Sequence, residues 1–230
     1  MIKFNCKFDP RKIKLLIFDL DGTLIDSRLD LARSVNATLR HFGRPELPAE
    51  VVVSYVGDGA AMLVRRALGD PTDERFLAEA LEYFQAYYLD HKLDHTHAYD
   101  GIKNTLVAIQ APRNGFRRKM AVLSNKPVHP SLTILDALGL SQFFVSVYGG
   151  NSFATKKPDP LGAREILKET GSFPVETLMI GDSLNDVLTG RNASLWTCGV
   201  SYGFSPHTLC VVPPDVLVDT PRDVAEVLSS

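Results

Sequence analysis

Residues 13–23 read Ile-Lys-Leu-Leu-Ile-Phe-Asp-Leu-Asp-Gly-Thr, and the fold prediction starts from this stretch. Its first part, Ile13–Phe18, is a compact apolar run. Such a run is typical of a strand in a parallel sheet that is covered by helices on both faces. The remainder, residues 19–23, carries two acids and a glycine and predicts a turn directly after the strand. The sequence therefore predicts a buried strand that delivers acidic side chains to its carboxyl end.

After Gly101 helical and strand-like segments alternate, which indicates a parallel sheet flanked by helices. Helices are predicted near residues 101–112, 129–139, 159–170 and 184–194. The predicted strands are Met120–Leu123, Phe143–Tyr148, Thr177–Ile180, Trp196–Val200 and Val216–Val218. At the N-terminus, apolar residues alternate with polar ones from Ile2 to Phe8, which predicts a short edge strand or arm.

Between these two regions, from about Ser27 to His95, apolar residues recur at helical spacing, as Leu31, Val35 and Leu39 do. This pattern predicts an insert of about four helices. The fold class is therefore predicted as α/β, a Rossmann-like parallel sheet core with an inserted all-helical cap. We expect residues 1–25 and 97–230 to form the core and residues 26–96 to form the cap.

Composition excludes several classes of protein. The chain has 230 residues, 45% of them hydrophobic and 23% charged, with a formal net charge of −2, so we expect a globular protein without a nucleic-acid partner. No apolar run approaches the length of a membrane span, and no membrane partner is expected. Cys6, Cys198 and Cys210 share no metal-ligand spacing and predict reduced thiols in a cytoplasmic protein. A monomer or a homodimer fits equally well.

Polar residues follow the predicted strands, at the sheet edge where α/β proteins bind ligands. These residues are Asp19 and Asp21 after the first strand, Ser124 and Asn125 after the second, Lys157 near the third, and Asp182 and Asp186 after the fourth. We expect them to form one site.

The acids of this site would repel one another, by ~4 kcal/mol for two unit charges 4 Å apart at an effective dielectric of ~20. A divalent cation relieves that repulsion, and an all-oxygen ligand set favours Mg²⁺. Lys157 offers a positive charge for a phosphate, and Ser124 begins a helix whose N-terminus can bind an anion. These parts suit phosphoryl transfer, with Asp19 as nucleophile and Asp21 as general acid and base.

In order and spacing, four motifs of this chain resemble those of the haloacid dehalogenase-like phosphatases. The motifs are residues 19–23 (Asp-Leu-Asp-Gly-Thr), Ser124-Asn125, Lys157-Pro158 and Gly181-Asp182 with Asp186. The helical insert resembles the C1-type cap of that family. Within the family, residues 56–68 and 181–193 resemble phosphoglycolate phosphatases.

The resemblance implies a role for each motif residue. Asp19 would be the nucleophile and a Mg²⁺ ligand, and Asp21 the general acid and base that also gives a backbone carbonyl to the metal. Asp182 would bind Mg²⁺, with Asp186 either ligating it directly or supporting the ligands. Lys157 would brace Asp19, and the phosphoryl group would be held by Thr23, Ser124, Asn125 and Lys157.

The resemblance implies a Mg²⁺-dependent phosphatase for a small phosphorylated metabolite such as 2-phosphoglycolate. A β-phosphoglucomutase-like transferase stays open, whereas Asp21 argues against a carbon–halogen hydrolase and the intact acid set against a non-catalytic protein. Lys156 could take the place of its neighbour Lys157. The turn at Gly57, Asp58 and Gly59, with Arg65 beyond it, is either a substrate-sensing cap loop or a simple helix break. Where family members often carry Pro-Tyr-Pro-Gly, residues 98–101 read Ala-Tyr-Asp-Gly.

Overall fold

The structure, a computed structural model, describes residues 1–6, 8–112 and 116–229. Within these ranges one sheet of seven strands has the order β1-β9-β8-β7-β2-β5-β6, and a second sheet pairs β3 with β4. The strands are β1 (Ile2–Phe4), β2 (Leu15–Phe18), β3 (Ile25–Asp26), β4 (His97–Ala98), β5 (Lys119–Leu123), β6 (Ser146–Tyr148), β7 (Thr177–Gly181), β8 (Trp196–Val200) and β9 (Val216–Val218).

Helices cover both faces of the large sheet, as the apolar run of β2 predicts. Leu16 and Phe18 pack into the core on one face, and Leu15 and Ile17 into the core on the other. The helices are α1 (Arg28–His41), α2 (Ala49–Ser54), α3 (Ala60–Ala67), α4 (Glu74–His91), α5 (Ile102–Gln110), α6 (Val128–Ala137), α7 (Leu161–Thr170), α8 (Leu184–Asn192) and α9 (Pro221–Val227). The predicted α/β fold class is confirmed.

Three predicted strands are shorter in the structure, and the first of them, at the N-terminus, ends at Phe4 rather than at Phe8. β2 begins at Leu15 because residues 10–12 form a 3₁₀ turn before it, and β6 begins at Ser146 because residues 141–143 form another. The N-terminal segment is an edge strand as predicted. β1 lies antiparallel to β9, with Ile2 opposite Val218.

Helices α1–α4, here called the helical insert, pack around a hydrophobic cluster of their own. Leu31, Val35, Val64 and Phe84 lie in this cluster. At the base of the insert β3 and β4 form a two-stranded ribbon, with Ile25 opposite Ala98. The sequence analysis did not predict this ribbon, since strands of two residues are too short for a periodic pattern. The domain boundaries at 25/26 and 96/97 stay a prediction.

The position of β2 decides where the site forms. β2 lies between β7 and β5, and Phe18 is in register with Ile180 on one side and Val122 on the other. The residues that follow these three parallel strands therefore meet at one edge of the sheet. In the described part of the chain, no helix combines the length and apolar character needed to cross a bilayer.

Candidate active site

Three acids converge at the carboxyl end of the sheet. Asp19 follows β2, and Asp182 and Asp186 follow β7 at the start of α8. Each offers a carboxylate oxygen within 4.8 Å of the other two, and the exposed fractions of the three residues are 8%, 3% and 2%. The predicted convergence of these acids is present in the structure.

Lys157 is the counter-ion at the centre of this cluster. Its Nζ lies 2.8 Å from Asp19 Oδ1 and 2.6 Å from Asp186 Oδ1. Burial would lower the pKa of Lys157, but the carboxylates of Asp186 and Asp19 outweigh it and raise the pKa. The sequence left open whether Lys156 or Lys157 lies beside Asp19. In the structure Lys157 is the buried lysine at that place, and Lys156 is exposed.

One lysine does not neutralise three buried acids. Burial raises the pKa of Asp19 to about 6, although the charge of Lys157 opposes the shift. Burial, with the charges of Asp186 and Asp19, raises the pKa of Asp182 to about 8. The cluster therefore favours a further positive charge, either a proton or a cation.

The cluster fits a hard divalent cation. All its donors are carboxylate oxygens, the ligand type that Mg²⁺ takes in proteins. Asp186 is less available to a cation than the other two acids, because both its carboxylate oxygens already have partners. Its Oδ1 accepts from Lys157 Nζ, and its Oδ2 accepts from the backbone N–H and the hydroxyl of Ser183, at 3.1 and 2.7 Å. This bonding also makes Asp186 part of the N-terminal capping box of α8.

Asp182 is positioned by two loops that pack closely against it. Its Oδ2 accepts from the backbone N–H of Phe204 at 2.6 Å and of Ser205 at 3.1 Å. Gly22, with φ of 81°, lies so close that a Cβ atom there would be 2.3 Å from Asp182 Oδ2. The motif glycine is therefore required both by its backbone angle and by the space that Asp182 occupies.

Asp21 is held by residues that the motifs did not identify. Its Oδ1 accepts from Ser27 Oγ at 2.5 Å, and both its carboxylate oxygens lie 3.1 Å from Lys126 Nζ. Lys126 Nζ also lies 4.6 Å from the ring centroid of Tyr88 in α4. The sequence analysis assigned Lys126 no role; its position directly after Ser124-Asn125 was the available signal.

Ser124 and Asn125 both border the site, as predicted, but the Asn125 amide is used in protein contacts. Its Nδ2 donates to the carbonyls of Gly57 at 2.8 Å and Lys157 at 3.0 Å, and its Oδ1 accepts from the backbone N–H of Lys157. Asn125 therefore joins the helical insert to the loop that carries Lys157. A contact of its side chain with phosphate stays a prediction.

A cavity of about 250 Å³ lies above the acids, and the predicted insert loop borders it in part. Gly57 and Gly59 are among its lining residues, whereas Asp58 is paired with Arg66 at 2.5 Å. Arg65 lies outside the lining, since its Nη2 is bonded to Glu74 at 2.7 Å.

Thr23 also lies outside that lining. Its Oγ1 is buried and, among the described residues, has no hydrogen-bond partner.

The cavity has two chemically different sides. We use the name cavity floor for Asp19, Asp21, Ser124, Asn125, Lys126 and Asp182, which all come from the sheet edge. We use the name insert wall for Leu31, Val56, Leu63, Phe84, Tyr88 and Leu89, which come from the helical insert. The floor carries charge, whereas the named wall residues are apolar except for the Tyr88 phenol; the insert also contributes Gln85 to the lining.

Comparison with known proteins gives a consistent result. A family model described as "Haloacid dehalogenase-like hydrolase" matches residues 16–200. A phosphoglycolate phosphatase of Photobacterium profundum is 36% identical over 214 residues, which cover 90% of this chain and 92% of that protein. Phosphoglycolate phosphatase 1 of Pseudomonas aeruginosa is also 36% identical, over 94% of this chain and 80% of that protein.

The fold of this chain is also similar to that of a protein whose crystal structure has been solved. The crystal structure of a predicted phosphoglycolate phosphatase from Haemophilus somnus superposes with a TM-score of 0.87 at 30% identity. The match covers 94% of this chain and 98% of that chain. The shared fold therefore extends over nearly the whole of both chains.

Proposed function

Because the chain belongs to the haloacid dehalogenase-like hydrolases and is a phosphatase of that family, we propose that it hydrolyses small phosphate monoesters through an aspartyl-phosphate on Asp19, with Mg²⁺ as cofactor. The names of its relatives support 2-phosphoglycolate as one substrate. The observation that carries the proposal is the position of Asp19, buried at the end of β2 with its Oδ1 2.8 Å from Lys157 Nζ and beneath an open cavity.

In the first half-reaction an oxygen of Asp19 attacks phosphorus and the bond from phosphorus to the ester oxygen breaks. The leaving alcohol needs a proton, and the carboxyl group of Asp21, two residues further along the same turn, supplies it. Ser27 and Lys126 both bond to that carboxyl group and hold it in one orientation at the cavity floor. Lys157 stays beside Asp19 and offsets charge on the phosphoryl oxygens.

In the second half-reaction a water molecule attacks phosphorus and the bond to the Asp19 oxygen breaks. Asp21, now ionised, takes the proton from that water, so both acids return to their starting state and inorganic phosphate leaves. Ser124 faces the same cavity and can donate its hydroxyl proton to a phosphoryl oxygen.

The cation site is assigned to Asp19, Asp182 and the backbone carbonyl of Asp21, with Asp186 supporting Lys157 and Ser183. When bound, Mg²⁺ would neutralise negative charge on the acids and on the phosphoryl group. The raised pKa of Asp182, caused by burial and by the neighbouring acids, is the property of this chain that supports such a site. Bonding of both Asp186 oxygens to Lys157 and Ser183 supports an indirect role for that residue.

A substrate panel tests the proposal. Phosphate release from 2-phosphoglycolate and other small monoesters is measured with Mg²⁺, with EDTA, and with Mg²⁺ restored. We expect turnover only in the presence of the metal, and trapping of a labelled, hydroxylamine-sensitive phosphate on the wild-type protein in quenched samples. Equal turnover in EDTA would contradict the metal assignment, and full activity of Asp19→Asn would contradict the nucleophile.

A further inference from the structure

Phe204 contacts both the sheet core and the helical insert. It lies in the segment 202–205, which follows β8 at the same sheet edge as the acids. Its backbone N–H donates to Asp182 Oδ2 at 2.6 Å, and its partly buried side chain packs against the hydrophobic cluster of the insert. One residue of the core therefore holds a carboxylate of the site with its main chain and packs on the insert with its ring.

The segment 202–205 is fixed to the site at several points. Ser205 N–H donates to the same oxygen of Asp182 at 3.1 Å, and Gly203 packs so closely against Asp182 that no Cβ atom fits there. The Tyr202 hydroxyl donates to the carbonyl of Thr23 at 3.0 Å. The segment thus touches both turns that carry the acids, and a shift of its main chain would also shift the donors that orient Asp182.

On the insert side, the Phe204 ring has two kinds of contact. It packs against the apolar cluster of the insert, and the guanidinium carbon of Arg28, at the start of α1, lies 5.6 Å from the ring centroid. Arg28 is in turn paired with Asp26 of β3, in the ribbon at the base of the insert. Movement of the insert away from the core would expose the ring to water, which costs free energy.

Resting on the proposed function, we propose that Phe204 is a positioning residue that couples closure of the helical insert to cation binding at Asp182. While the insert packs on the ring, the two backbone N–H donors hold the Asp182 carboxylate in one orientation. When the insert moves away, the segment 202–205 loses its packing on that side and Asp182 loses its fixed orientation. Because such a coupling is reciprocal, a cation bound at Asp182 also favours the closed insert.

Calorimetric titration of Mg²⁺ into the substrate-free protein measures the coupling. Phe204→Ala removes the ring but keeps the backbone N–H group, and we expect the Mg²⁺ dissociation constant to rise about fivefold or more. Phe204→Tyr keeps the ring and should bind Mg²⁺ as the wild type does. An unchanged dissociation constant in Phe204→Ala, or a wild-type protein that binds no Mg²⁺, would overturn the proposal.

Phe8 provides the matched control, because it is another partly buried phenylalanine. Its ring centroid lies 5.5 Å from that of Trp196, the first residue of β8, at the opposite end of the strand from the site. Phe8→Ala should leave the Mg²⁺ dissociation constant unchanged. An equal rise in Phe8→Ala and Phe204→Ala would show that general destabilisation weakens cation binding, which would overturn the proposal. If Phe204→Ala does not fold, Phe204→Leu takes its place, with a smaller rise expected and the same contrary outcome.

Amide hydrogen exchange gives the reciprocal measurement on the insert. Asn125 of the core donates to the carbonyl of Gly57, so the chain around this turn is held to the core when the insert is closed. In the wild type, saturating Mg²⁺ should slow exchange in peptides that span residues 55–64 by about fivefold or more. In Phe204→Ala this slowing should be largely lost. The same slowing in both proteins would contradict the coupling.

Neither measurement requires turnover, so the role of Phe204 and the phosphatase mechanism can fail separately. A weaker Mg²⁺ affinity of Phe204→Ala in a protein that hydrolyses no ester would refute the phosphatase mechanism and leave the role of Phe204 standing. Hydrolysis that depends on Mg²⁺, with the same dissociation constant in wild type and Phe204→Ala, would refute the role of Phe204 and leave the mechanism standing.

Discussion

The cavity floor and the insert wall face each other across a small space but are built differently. On the floor, Asp21 and Asn125 are each bonded to two or more other side chains or backbone groups, from segments far apart in the sequence. On the wall, Leu63 and Phe84 make apolar contacts within the insert. From this difference we expect the floor to determine the reaction and the wall to contact the alcohol part of the ester. Changes on the floor should therefore affect kcat for every ester, and changes on the wall should affect one ester relative to another.

The largest expected effect is on the floor, at Asp19. Asp19→Asn removes the nucleophilic oxygen charge and should lower kcat by at least about 10³-fold for every substrate. The exposed Asp136 on α6 provides the control, and Asp136→Asn should retain full activity. Steady-state kinetics with two unrelated esters measures both. A loss limited to one ester would mean that Asp19 acts in substrate choice and not in chemistry.

The second-largest effect is expected from replacing Lys157, which should lower both activity and stability. Lys157→Met leaves Asp19 and Asp186 as buried carboxylates without their counter-ion, which we expect to cost about 3–5 kcal/mol of unfolding free energy. We expect kcat to fall about 10²-fold or more. Urea unfolding and kinetics check the two effects. The exposed neighbour gives the control, because Lys156→Met should change neither by much.

Lys126 belongs to the cavity floor and lies against Tyr88 of the insert wall. We expect its replacement to lower kcat less than the replacement of Asp19 does. Lys126→Met frees the Asp21 carboxylate and should lower kcat by about 10²-fold, with the fold retained by circular dichroism. Tyr88→Leu removes the ring beside the ammonium and should cost about 0.5–2 kcal/mol in stability. Tyr88→Phe keeps the ring and should be close to wild type. Equal losses in Tyr88→Phe and Tyr88→Leu would exclude a contribution from the ring.

A loss of stability smaller than that of Lys157→Met is expected at the base of the insert. Asp30 is buried and accepts hydrogen bonds from the backbone N–H groups of His95 and Thr96, at 3.0 and 2.8 Å, and from Thr96 Oγ1 at 2.8 Å. Burial opposes ionisation of Asp30, but these donors outweigh it and hold its pKa below the usual 3.8. Asp30→Asn should therefore lower the unfolding free energy at pH 7, by about 1–3 kcal/mol.

The sign of the pH dependence follows from the lowered pKa. The stabilisation is complete above the ordinary pKa of a carboxyl group and is lost as the pH falls through the lowered pKa of the folded protein. The difference between wild type and Asp30→Asn in urea unfolding should thus shrink below about pH 4. A difference that stays constant from pH 7 to pH 3 would mean that packing, not charge, explains the loss.

The sequence predicted the floor better than the wall. Asp19, Ser124 and Asp182 of the floor, and Lys157 beside Asp19, each follow a strand or lie in a motif, so the parallel sheet brings them together once the strand order is known. Lys126 was missed because its partners, Asp21 and Tyr88, lie 105 and 38 positions away and no periodic pattern connects them. Arg65 was considered together with a turn that is either a substrate-sensing cap loop or a simple helix break, and in the structure it is paired with Glu74 outside the cavity lining.

By itself, the sequence determined the fold class, the sheet edge at which the acids gather and the residue types of the floor. These properties follow from local patterns: apolar runs of strand length, helical spacing and turn residues directly after strands. Only the tertiary structure decided which of two adjacent lysines is buried, where the insert arginines are bonded and which side chains cover the cavity. Those outcomes depend on contacts between distant segments, and the free energy of each contact exists only after the chain has folded.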